Sequence, residues 1–232
     1  QGQYRLEASP EYMYAPGTPE RIFKFSQTHE TQIVFILRNP VARFISLFHF
    51  GKQQCIIDED CSFETFLQLS KNYTAHDNPS LMAYETGFYS RYLERYCNLF
   101  GRENLCVYFF EDFMADTKSV MHRVCTDLSL DESFYKGYAF ITHNKTIAVK
   151  SRALRGIYNT ARHYLMKKTF KSKIGYNTSM LLKKTITPIY RKINVTELKH
   201  EKPASKDVKF LEDAYKEEKN NIEKLLGIHV PW

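Results

Sequence analysis

The sequence predicts an α/β fold, a parallel sheet flanked by helices with a basic helical elaboration towards the C-terminus. Three observations carry that prediction. Two short runs, "TQIVFIL" (31–37) and "NLCVYFFED" (104–112), are β-branched, aromatic and apolar without alternation, as strands are when both faces are covered. Each is followed by a stretch with apolar residues at helical spacing, and strand–helix alternation favours parallel pairing. After Phe140 the texture becomes basic and only partly apolar.

The elements follow in order. Asn39-Pro40 ends the first strand, and Pro40 suits the first turn of a helix through "VARFISLFHF". "SFETFLQLS" (62–70) reads as a helix with Ser62 as N-cap and Glu64 as the return partner of a capping box. "GFYSRYLERYCNLFG" (87–101) reads as a helix stopped by Gly101, and "DTKSVMHRVCTDLSL" (116–130) as another. In "SRALRGIYNTARHYL", Leu154, Ile157, Tyr158, Ala161 and Leu165 share one helical face. Residues 199–206 read as a linker and 207–227 as a final amphipathic helix ended by Gly227. The expected organisation is one domain over 1–232: an α/β part at 1–145, a basic helical insertion at 146–206 and a C-terminal helix at 207–232.

Composition narrows the function. With 43% hydrophobic and 25% charged residues, the chain is an ordinary globular protein. No apolar run approaches the roughly 18–20 residues that span a membrane, and the first residues carry no signal-peptide pattern. Five cysteines lack CxxC or Cys/His spacing, so no metal site is expected. Cys97, Cys106 and Cys125 sit in apolar patterns and read as buried thiols, whereas Cys55 and Cys61 flank an acidic loop and suit a small disulfide in an oxidising compartment. Sequons stand at Asn72, Asn144, Asn177 and Asn194. The net charge of +7 is uneven: residues 145–206 hold sixteen Lys and Arg against two acids. Such a stretch suits an anionic partner or a solvated helical face. Peripheral contact with a membrane surface through 146–206 is a further reading; nucleic acid is not expected.

The stretch "FILRNPVARFISLFHF" (35–50) raises the sharpest question, because an apolar strand ends in Arg38 and Ser46 follows eight places later. In open α/β sheets ligands sit at the carboxyl ends of strands. A guanidinium fork with a hydroxyl two turns into the next helix suits a phosphate. An arginine paired with a carboxylate at the strand end is the other reading.

"LRNPVARFISLF" resembles the 3′-phosphate-binding motif of sulfotransferases that use 3′-phosphoadenosine 5′-phosphosulfate (PAPS), close in form to heparan sulfate N- and 3-O-sulfotransferases and their bacterial relatives. "EASPEYMY" (7–14), "GFYSRYLERYCNLFGRENLCVYFFEDFMAD", "KSR" (150–152) and "EKLLGIHVPW" resemble further segments of that family in the same order. The resemblance covers most of the chain except about 155–205. It implies a sheet of the P-loop nucleotide-binding type and PAPS as co-substrate, without a metal. Carried over by position, Arg38 and Ser46 would bind the 3′-phosphate, Lys150, Ser151 and Arg152 the same phosphate, and Tyr89 would lie near the nucleotide.

The resemblance has two departures. The family's first strand and its phosphosulfate-binding loop have no match, so the domain is expected to be N-terminally incomplete, and its sheet to have backbone groups unpaired or a gap filled by another segment. The usual catalytic base has no match either, which leaves Glu7 and His143 as acid/base candidates and Lys150 as a candidate cation. Where heparan-type enzymes often have Lys, Ala8 stands here, weakening the case for a heparan-like acceptor. The implied reaction is sulfuryl transfer to a hydroxyl or amine of a glycan, a carrier-tethered group or a small molecule. The alternative is a non-catalytic relative that binds nucleotide or an anionic polymer. Arg155, Arg162, Lys167 and Lys168 would face an anionic or carrier-bound acceptor. The resemblance leaves a cytoplasmic bacterial-type enzyme and a Golgi-lumenal one both open.

Overall fold

The computed structural model describes residues 5–54, 56–58, 60–72, 81–135, 137–140, 147–149, 151, 153–158, 160, 189–190, 192–197 and 202–232. These fall into two compact units, one of 1–48, 60–142 and 203–232, the other of 49–59 and 143–202.

In the first unit, α1 (Thr18–Ser26) precedes β1 (Ile33–Leu37) and α2 (Pro40–Gln54), which extends into the second unit's residues; α3 (Phe63–Asn72) and α4 (Tyr89–Phe100) lead to β2 (Leu105–Phe109) and α5 (Phe110–Asp127). β1 and β2 pair in parallel, in register from Ile33 with Leu105 to Leu37 with Phe109. The strands therefore meet directly, and no gap opens between them. One face of β1 carries Ile33, Phe35 and Leu37, buried with Tyr89, Leu93 and Tyr96 of α4 and with Ile222, Leu226 and Val230. Phe35 meets Tyr96 edge to face at 4.9 Å. The opposite face departs from the expectation of two covered faces: Val34 is 41% and Ile36 59% exposed. Period-two side-chain alternation puts these residues away from α4, so the apolar run does not mark a two-sided layer here.

Ser62 caps α3 as expected, its Oγ accepting the Thr65 N–H at 3.1 Å. Glu64 is not its return partner: Thr65 holds the third helical position and bonds the Ser62 hydroxyl, while Glu64 pairs with Lys206. Gly101 ends α4 at φ 77°, its N–H returning to the Cys97 carbonyl. The second strand is shorter than "NLCVYFFED" suggested, since helix begins at Phe110. α5 kinks at Asp116, whose carboxylate takes the Ser119 N–H and hydroxyl. The helix expected from 116 thus starts on its own cap. The C-terminal helix is two helices, α6 (Ser205–Tyr215) and α7 (Glu218–Leu226). Of the three cysteines expected inside, Cys125 is buried and Cys97 and Cys106 are half-buried. The Cys55–Cys61 pairing lies outside the described residues, because Cys55 is not among them.

In the second unit, β3 (Ile147–Val149) pairs antiparallel with β4 (Val195–Glu197), a ribbon that sequence pattern did not indicate. A short helical stretch, 153–158, follows β3.

Candidate functional site

Arg38 occupies the first position beyond β1, and the local sequence fixes it from several sides. Asn39 is the N-cap of α2: its Oδ1 accepts the Ala42 N–H at 3.0 Å and its carbonyl the Arg43 N–H at 2.8 Å. The Asn39 N–H is donated to Glu111 Oε1 at 2.9 Å, which ties the turn to the start of α5. From beneath, the Tyr89 hydroxyl donates to the Arg38 carbonyl at 2.9 Å. The strand can end in a charge because its backbone polar groups are already satisfied by Glu111 and Tyr89.

The Arg38 guanidinium lies 4.8 Å from the centre of the Phe110 ring. It is half-exposed, and among the described residues no carboxylate pairs with it, so the reading of Arg38 as one half of a strand-end ion pair finds no partner there. An aromatic face orients a guanidinium and leaves its N–H donors for an anion. Ser46, two turns into α2, is half-buried, and its hydroxyl has no hydrogen-bond partner among the described residues.

Behind the turn lies Arg43, the second arginine of "LRNPVARFISLF", to which the sequence reading assigned no role. Its guanidinium sits 5.3 Å from the Tyr14 ring and 5.9 Å from the Tyr89 ring. Burial pushes the Tyr89 phenol well above the usual tyrosine range, with Arg43 pulling the other way; Tyr14 is raised for the same reason. Tyr89 is therefore a neutral donor at any ordinary pH. Its ring is almost fully buried, so it supports Arg38 from within the core.

The other expected residues are dispersed. Glu7 is exposed and accepts the Tyr12 hydroxyl at 2.9 Å. Ser151, in the second unit, caps the stretch 153–158: its Oγ accepts the Leu154 N–H and its carbonyl the Arg155 N–H. His143, Lys150, Arg152, Arg162, Lys167 and Lys168 lie outside the described residues. Arg155 corrects the expectation of a solvent-facing cation, because it is only 7% exposed, while Ile157, expected to anchor the helix, is 68% exposed. The physical reason is the anchoring of this helix through Ser151 and through Tyr158, which stacks on Tyr190 at 4.1 Å. Helical spacing from 151 to 158 carries 155 inward with them.

Among the described residues no His, Cys, Asp and Glu cluster could hold a metal ion, and no helix is long and apolar enough to cross a membrane.

Residues 16–192 match the family of sulfotransferase domains. Among solved structures, the fold is similar to that of a sulfotransferase from Alicyclobacillus acidocaldarius, with a TM-score of 0.51 and 25% identity; the match covers 70% of this chain and 60% of that one. No curated protein matches the chain significantly.

Proposed function

Since this chain belongs to the sulfotransferase family, we propose that it uses PAPS, with the 3′-phosphate held by Arg38 and Ser46, and delivers the sulfuryl group to a hydroxyl or amine of an acceptor. The observation that carries this reading is the Arg38 guanidinium at the carboxyl end of β1, backed by Phe110 and paired with no carboxylate among the described residues. Bound there, PAPS supplies a sulfuryl group on a nucleotide leaving group. In the transfer, the acceptor's oxygen or nitrogen forms the new bond to sulfur, the bond from sulfur to the 5′-phosphate oxygen breaks, and adenosine 3′,5′-bisphosphate (PAP) leaves.

The part of this chain is to bind and orient. Arg38 neutralises the 3′-phosphate through a planar fork of donors, and Ser46 adds a neutral donor. Lys150, Ser151 and Arg152 are proposed to add contacts to the same phosphate. The acceptor's proton requires a base; Glu7 and His143 are the candidates in this chain. Lys150 is the candidate cation for charge developing on the bridging oxygen, as cations act in phosphoryl transfer.

The excess of sixteen basic residues over two acids in 145–206 supports an anionic or carrier-bound acceptor, recruited by a field that salt screens over about 8–10 Å at 0.1–0.15 M. With Arg155 buried, Arg162, Lys167 and Lys168 remain the proposed contacts. The test is transfer of labelled sulfate from PAPS to a panel of glycan, carrier-tethered and small-molecule acceptors. Transfer to any of them supports the enzyme. PAP binding with no transfer across the panel points to a nucleotide-binding relative without turnover.

A further inference from the structure

Arg43 stands in the first turn of α2, five residues after Arg38, and the chain gives its charge no counterpart. Its Nη1 is buried without a hydrogen-bond partner, and among the described residues no carboxylate pairs with it. The Tyr14 and Tyr89 rings flank it. Burial keeps both phenols protonated, so neither supplies a negative charge. The helix opposes the guanidinium as well: no acid stands in the first turn of α2, and a helix N-terminus disfavours a cation. An orphaned buried donor and an unpaired charge both cost stability.

The carboxylate of this neighbourhood is engaged elsewhere. Glu111 gives Oε1 to the Asn39 N–H, and its Oε2 is buried without a partner. Both charges reach the Tyr89 phenol, which burial raises, Arg43 lowers and Glu111 raises further. The same hydroxyl holds the Arg38 carbonyl. Opposite charges thus stand beside the Arg38 turn without pairing. Ser46 follows Arg43 by three residues, the spacing of neighbours on a helix surface, and its hydroxyl also has no partner among the described residues. We infer that Arg43 is a specificity-determining residue for the 3′-phosphate: its charge is compensated by the ligand's phosphate and not by the chain, and Glu111 is the opposing charge that limits the attraction. With Nη1 buried, Arg43 acts through its field and steadies the dianion that Arg38 and Ser46 touch. This role rests on the 3′-phosphate lying at Arg38, as proposed above.

The test is calorimetry on the full protein with two probes, PAP and adenosine 5′-monophosphate, which lacks the 3′-phosphate. Arg43→Met keeps an unbranched stem between the rings and removes the charge. At low salt it should weaken PAP about tenfold, the scale of one unit charge acting at an effective dielectric constant of about 20, and change the monophosphate little. The loss should shrink as ionic strength rises, since salt screens the field; a displaced turn would not follow salt. Arg43→Lys retains the charge without the planar fork and should bind PAP within about threefold of the parent. Glu111→Gln keeps an oxygen for the Asn39 N–H and removes the opposing charge. It should tighten PAP about threefold, and it serves alone if Arg43→Met does not fold. If Arg38→Ala leaves PAP affinity unchanged, the 3′-phosphate does not lie here and the role of Arg43 falls with that reading. If Arg38→Ala weakens PAP while Arg43→Met does not, or if Arg43→Met and Glu111→Gln both weaken it, Arg43 and Glu111 only support the turn, and the phosphate stands at Arg38 without them.

Discussion

The Tyr89 phenol donates a 2.9 Å hydrogen bond to the carbonyl of Arg38, fifty-one residues earlier in the chain. It joins the first residue of α4 to the residue that leaves β1, so the core of the sheet and the proposed phosphate contact share one bond. Tyr89→Phe keeps the packing and removes only the hydroxyl. It should cost about 1–2 kcal/mol in urea unfolding, as a buried carbonyl losing its donor does. PAP affinity should also fall about three- to tenfold, because a displaced Arg38 loses part of a charge-assisted bond. Unchanged PAP affinity would leave the bond a purely structural one.

Glu218 performs a similar service at the start of α4. Its carboxylate accepts the Ser90 N–H and hydroxyl, each at 2.9 Å, and is buried at the first turn of α7. Glu218→Gln replaces one acceptor oxygen by a donor facing those groups. We expect a loss of about 1.5–3 kcal/mol, the range for hydrogen bonds to a charged group, read as a shift of the urea midpoint at constant slope.

Gly87 approaches Tyr215 so closely that a Cβ would lie within van der Waals overlap of the ring. The Tyr215 hydroxyl in turn donates to the Tyr84 carbonyl at 2.7 Å. Gly87→Ala must push the ring away from this bond, and the expected cost is about 1–3 kcal/mol, as for overpacking in a core. A variant as stable as the parent would show that Tyr215 has room to move.

Buried tyrosines set the alkaline limit. Burial pushes Tyr92 and Tyr96 up to about 12, and it raises Tyr89, Tyr108 and Tyr215 as well. In the unfolded chain these phenols ionise near 10. A folded value raised above the unfolded one gives stability that is complete below about pH 10 and is lost as pH climbs towards the folded values. Tyrosinate absorbance from these residues should therefore appear in a cooperative step together with the loss of circular dichroism, above pH 10. A gradual rise with dichroism intact would contradict their burial.

What could be read from the sequence follows the range of the forces involved. The turn from β1 into α2 was legible, because Arg38, Asn39 and Pro40 act on their own neighbours. The burial of 31–37 was misjudged, since an apolar run does not say how many layers cover it; Val34 and Ile36 face outward. Arg155 was misjudged because the phase of its helix is set by Ser151 and Tyr158, held by Asn194 and Tyr190, which are 43 and 32 residues further along the chain. The Glu218–Ser90 contact, 128 residues apart, left no local signal at all. Within the candidate site, Arg38 and Ser46 were singled out by motif as the proposed phosphate contacts, whereas the places of Arg43 and Tyr89 beside them required the packing to be seen.

The most direct test of the account is the affinity of PAP for the protein and for Arg38→Ala, measured by calorimetry beside adenosine 5′-monophosphate. Removal of the guanidinium should weaken PAP by about 2–4 kcal/mol, the scale for truncating one partner of a charge pair. Ser46→Ala should cost about 1 kcal/mol, and the monophosphate should bind all three proteins alike. PAP affinity that survives Arg38→Ala unchanged would contradict the placement of the 3′-phosphate at the end of β1.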